Sequence, residues 1–66
     1  MTYRLTKFDM TGRKTADLGQ FRSVIAARNA MIEDAGFEPT ELPFFCPEAR
    51  VAEGWFIGRT EYNIEF

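Results

Sequence analysis

The chain has no histidine and a single cysteine, and these two scarcities exclude more chemistry than any motif present supplies. Without histidine, neither a Ser-His nor a Cys-His nucleophile pair can be assembled, and proton transfer falls to carboxylates or lysine. Cys46 cannot close an internal disulfide and has no histidine with which to build a zinc site. It lies between Phe45 and Pro47 with no basic neighbour to lower its pKa, so it reads as a small apolar filler. Glycines 12, 19, 36, 54 and 58 match neither a Walker loop nor a dinucleotide fingerprint, and no calcium-loop pattern occurs. Gly54 and Gly58 have the spacing of a membrane helix-dimer motif, yet their segment is strand-like and too polar after Ile57.

Long apolar runs are missing too: none approaches the ~18 residues of a membrane span. The opening Met1-Thr2-Tyr3-Arg4 lacks the hydrophobic segment of a secretory signal. A cytoplasmic setting is expected, with no membrane partner. No catalytic, cofactor or metal residue is assigned, and the chain is expected not to be an enzyme. An enzymatic role would need a carboxylate pair assembled by folding. The acids are scattered over surface positions, and the adjacent Glu33 and Asp34 point in different directions on a helix.

What is present is a 66-residue chain rich in large rings, with seven phenylalanines, two tyrosines and one tryptophan. A chain of this size has room for one core and one domain, residues 1–66. Small domains are commonly reinforced by disulfides, a metal or a partner subunit. With the first two excluded, association with itself as a homo-oligomer or with another protein is expected. So many rings exceed what a small core encloses, and composition leaves open which of them face a partner. The net charge of −2 hides an asymmetry: residues 1–30 hold six basic side chains against two acids, and residues 31–66 hold two against eight. Folding either interleaves these charges or leaves a dipolar molecule able to steer a charged partner.

Along the chain, Thr2 to Met10 is rich in strand formers, but its apolar residues change parity, Tyr3 and Leu5 being odd and Phe8 and Met10 even. A bulge near Thr6 or Lys7 would place all four on one face. Thr11-Gly12-Arg13 reads as a turn, and Lys14 to Leu18 as a weaker second strand. A helix is predicted from Gly19 or Phe21 to Ala35, stopped by Gly36, with either an Asp17/Gln20 capping box or Ser23 as its start. Leu18, Phe21, Val24, Ile25, Ala27, Met31, Ile32 and Ala35 form its apolar arc, as expected of a helix packed on a sheet.

Arg28 interrupts that arc and has no acid three or four residues away, so it needs a sheet carboxylate, solvent or an interface seam. Glu41 to Cys46, between Pro43 and Pro47, reads as an edge strand, and Pro47 to Glu53 as one or two helical turns ended by Gly54. Trp55 to Phe66 is the strongest strand, with an apolar even face of Phe56, Thr60, Tyr62, Ile64 and Phe66. Trp55 and Ile57 fall on its polar face, and Gly58 suggests a bulge.

The fold class expected is α+β: a small antiparallel sheet of three or four strands with one helix on one face, in the order β-β-α-β-β, or alternatively β-α-β-β. The preferred function is a non-catalytic protein-interaction module, whether self-associating subunit, adaptor or inhibitor, with Phe44, Phe45, Trp55 and Arg28 as interface residues. The alternative is a nucleic-acid-binding module in which Arg4, Lys7, Arg13 and Lys14, interleaved with Tyr3 and Phe8 on the first hairpin, grip phosphate and stack on bases.

Overall fold

The computed structural model describes residues 1–66 as a five-stranded antiparallel sheet with one helix, in the order β1 (Tyr3–Phe8), β2 (Lys14–Phe21), α1 (Val24–Ala35), β3 (Phe44–Cys46), β4 (Val51–Ile57), β5 (Thr60–Glu65). Across the sheet the strands run β2-β1-β5-β4-β3, so the last strand in sequence is the central one. The α+β class and the single helix on the sheet are as expected. The sheet has one strand more than the three or four anticipated. No helix is long and apolar enough to cross a membrane.

The additional strand comes from the segment after Pro47. Its helical start is a single 3-10 turn, Pro47–Ala49, and Val51–Ile57 pairs with both β3 and β5. Gly54, expected to end a helix, lies in the middle of β4. Gly58 is not a bulge but the first residue of a two-residue hairpin loop, with φ +61°, where the twist of the strands favours glycine. That loop reverses parity: odd positions of β4 pair with even positions of β5, as in Trp55↔Tyr62. Trp55 and Ile57 therefore join Tyr62 and Ile64 on the core face, and Phe56 leaves it.

The first hairpin also departs from expectation. β1 pairs with β5 without interruption from Arg4↔Glu65 to Phe8↔Glu61, so it carries no bulge of its own. The irregularities lie in β2, where Leu18 and Gly19 together oppose Leu5, and Gly19 takes φ +105°. Phe8 accordingly shares a face with Thr6 rather than with Leu5, and Met10 lies beyond the strand, largely exposed. β2 continues to Phe21, so the helix starts at Val24. Ser23 is its cap, the hydroxyl accepting from the Ala26 N–H at 3.0 Å. Gly36 ends it with φ +88° and donates its N–H to the Ile32 carbonyl, as anticipated.

The core lies between α1 and one sheet face: Leu5, Ala27, Met31, Trp55, Ile57, Tyr62 and Ile64, with Tyr3, Leu18, Phe21, Val24, Ala30, Ile32 and Ala35 packed around it. Both sheet edges are blunted. β2 is broken by its irregular pairing and β3 is three residues long between Pro43 and Pro47, so neither offers a long ladder to an added strand.

Candidate functional site

Two polar clusters fasten the helix to the covered face of the sheet. Arg28 donates to both oxygens of Glu53, at 3.2 and 2.7 Å, and its guanidinium lies 5.5 Å from the Trp55 ring centroid. The Trp55 indole N–H donates to the same carboxylate at 2.9 Å. This is the distant sheet carboxylate that Arg28 required; both Arg28 and Trp55 are committed to packing within the chain. Trp55, expected among the exposed contact residues, is instead a core residue only 9% exposed.

Nearer the helix C-terminus, Asp34 accepts from Lys7 at 2.9 Å and from the Tyr62 hydroxyl at 2.7 Å. Those two hydrogen bonds, that of Lys7 first, hold the Asp34 carboxyl below its ordinary value of 3.8. Burial, followed by the hydrogen bond to Asp34, pushes the Tyr62 phenol above its ordinary range. Both clusters are closed on themselves, every charged head meeting its counterpart inside the chain.

The other face of the sheet has no helix over it. Register and alternation order its side chains into three rows. Nearest the two hairpin loops run Lys14, Phe8, Glu61 and Phe56; across the middle run Asp17, Thr6, Asn63, Gly54 and Phe44; at the far end run Gln20, Arg4, Glu65, Val51 and Cys46. Phe56 is 49% exposed and Phe44 37%. Their ring centroids are 5.6 Å apart. The Phe44 ring occupies the place where any side chain on Gly54 would project. Asp9, Met10, Phe56, Gly58, Arg59 and Glu61 border a hollow of about 290 Å³ at the loop end of this face.

The electrostatics divide this face along its length. Arg4 donates to Asp17 at 2.8 Å and Lys14 lies 4.0 Å from the same carboxylate, so one of the two positive charges on the β1–β2 side is offset. The Gly19 N–H foremost, with Arg4 and Lys14 adding to it, holds the Asp17 carboxyl below its ordinary value. Glu61 and Glu65, on the central strand, form no ion pair. Glu65 accepts the Thr6 hydroxyl at 2.7 Å. Between the two glutamates, the side-chain oxygen of Asn63 is buried and has no hydrogen-bond donor.

Phe45, 63% exposed, has the opposite parity to Phe44 and meets Phe66 edge-on, with centroids 6.2 Å apart. The four basic residues of the first hairpin are not brought together: Arg4 and Lys14 share the open face, Lys7 is on the helix side bound to Asp34, and Arg13 belongs to the turn. Asp9, which borders the hollow with Glu61, is occupied by the Thr11 hydroxyl and the Thr11 and Arg13 amides. The Thr11 hydroxyl foremost lowers its pKa. Cys46 is half-buried, its sulfur 3.8 Å from a Glu48 oxygen.

Phe56, Glu61, Asn63 and Glu65 were not expected as site residues from the sequence, and Phe8 only as a stacking ring of the nucleic-acid alternative. Glu61, Asn63 and Glu65 do alternate with apolar residues, and that alternation was the available signal. Comparison of the chain with family models, curated proteins and solved structures finds no match.

Proposed function

We propose that the protein is a non-catalytic protein-interaction module that docks through the open face of its sheet. The supporting observation is the grouping of half-exposed Phe44 and Phe56 around polar side chains on the sheet face opposite the helix. Rings in such a setting keep large apolar areas in water until a partner removes them, and aromatic anchors beside polar groups are the usual composition of an interface centre. Phe45, packed against Phe66, has the opposite parity and is not part of this grouping. The nucleic-acid reading has less support, because Lys7 is on the opposite face from Arg4 and Lys14, and Asp17 offsets one of the latter two charges.

The test compares the tagged chain with its Phe44→Ser/Phe56→Ser variant in native lysate, with and without nuclease. Near-ultraviolet circular dichroism of buried Trp55 verifies that both are folded. Protein partners that survive nuclease and are lost with the variant are the expected result. The same partners on both chains would reject the open face as the docking surface.

A further inference from the structure

The open face also carries information about what it takes, and this inference rests on the interaction reading above. The outward side chains of central strand β5 are the Glu61 carboxylate, the Asn63 amide and the Glu65 carboxylate, so two of the three are anionic and the oxygen of the amide between them is buried. Arg4 is directly across from Glu65, yet its guanidinium is bound to Asp17, which leaves both glutamates without a cation. Asn63 is only 8% exposed and its oxygen has no donor, an arrangement that folded proteins rarely leave uncompensated. In cross-strand register, Phe8 and Phe56 stand on either side of Glu61, and Phe44 fills the space over Gly54 beside Asn63.

Unmet acceptors between aromatic rings call for a cation that is rich in donors and able to lie flat. Guanidinium meets all three conditions, with five N–H donors in a plane that stacks on rings; an ammonium supplies charge without the plane. Alternate residues of a strand recur every ~6.4–6.8 Å. An extended segment laid along β5 repeats at the same interval, and Glu61 and Glu65 are two such intervals apart, so a run of arginines at alternate positions brings a guanidinium to each carboxylate.

We propose that the open face binds an extended, arginine-containing basic segment of another protein, with guanidinium groups donating to the Glu61 and Glu65 carboxylates on either side of Asn63. Two other occupants fit less well. Face-to-face pairing of two copies about a two-fold axis places β5 over its counterpart and sets glutamate against glutamate. A nucleic acid would bring phosphates onto the same two carboxylates.

The experiment is a titration of the full chain with a blocked peptide of three Arg-Thr repeats, followed by amide NMR, alongside peptides with lysine or glutamate in place of arginine. Saturable shifts at the Asn63 side-chain amide and the backbone of Thr6, Glu61 and Glu65 are expected. Affinity should fall about tenfold in the Glu61→Gln/Glu65→Gln variant, which keeps the acceptor to Thr6 while losing both charges. The lysine peptide should bind several-fold more weakly and the glutamate peptide not at all. Shifts elsewhere on the surface, equal binding of arginine and glutamate peptides, or indifference to the double substitution would overturn the proposal. So would a dimer or an oligonucleotide complex mapped to these same amides. If the peptide fails while the Phe44→Ser/Phe56→Ser variant still loses its lysate partners, the arginine assignment falls and the docking face stands; if both fail, both fall.

Discussion

The two faces of the sheet are made from the same strands, residue by alternate residue, and differ in how completely their polar groups are satisfied. On the helix side, Arg28, Glu53 and Trp55 form one closed set and Lys7, Asp34 and Tyr62 another. On the open side, Glu61 and Glu65 have no cation, Asn63 has no donor, and Phe44 and Phe56 remain partly in water. A face that is closed on itself needs nothing further from its surroundings. The open face keeps unmet acceptors and apolar area together, which is the physical condition for binding something else.

The largest effect expected from this comparison is on the covered face. Leu5 is fully buried under the helix, and Leu5→Ala should cost about 2–5 kcal/mol, a large share of the stability of so small a domain. A denaturation curve that keeps its midpoint would contradict the placement of the core. Gly54→Ala comes next. Its Cβ would enter the Phe44 ring, so the ring must leave, at about 1–3 kcal/mol, and an increase in Phe44 exposure should accompany the loss. Retention of the ring position in the variant's NMR spectrum would show that Phe44 does not lie across Gly54.

Smaller again is Phe56→Thr on the open face, expected to cost about 1 kcal/mol by urea melt, because half of the ring is already in water and threonine suits a strand. A loss as large as that of Leu5→Ala would mean that the open face is part of the core. The smallest effect is one of pH. The Asp34 carboxyl titrates lower in the folded chain than in the unfolded one, so its contribution is fully present above its ordinary value of 3.8 and is lost as pH falls through the lower folded value. Exposure to solvent keeps that contribution modest. Acid unfolding curves of the wild type and Asp34→Asn should converge at low pH and be fully separated once pH has risen past about 4; parallel curves would show that the Lys7–Asp34–Tyr62 set adds nothing.

Several parts of this arrangement were legible one segment at a time. The Gly36 stop, the need of Arg28 for a distant carboxylate and the inward positions Val24, Ala27, Met31, Ile32 and Ala35 follow from helical periodicity and local capping, whereas Leu18 and Phe21 of the expected arc belong to β2 and Ile25 is 65% exposed. The edge position of β3 follows from its flanking prolines. Parity across Trp55 to Phe66 did not, because a continuous strand and a tight hairpin at Gly58 place Trp55 on opposite faces. Reading the stretch as one strand exposed Trp55 and hid Phe56, which displaced the expected contact residues from their actual positions. The same ambiguity concealed the bulge in β2, since local sequence shows a change of parity between two strands without showing which of them carries the extra residue.

The sequence by itself determined the chemical vocabulary: no histidine, no disulfide, one amphipathic helix, an excess of rings and an uneven distribution of charge. These depend on residue identity and on spacing within a turn or a strand. Only the tertiary structure decided that β5 is the central strand, that Arg4 is bound to Asp17 rather than to Glu65, and that the Asn63 oxygen lies without a donor between two glutamates that have no cation. Each of those outcomes depends on which distant strand supplies the neighbour, and the partner of an exposed polar side chain is chosen by strand order and register, to which its own local sequence is blind.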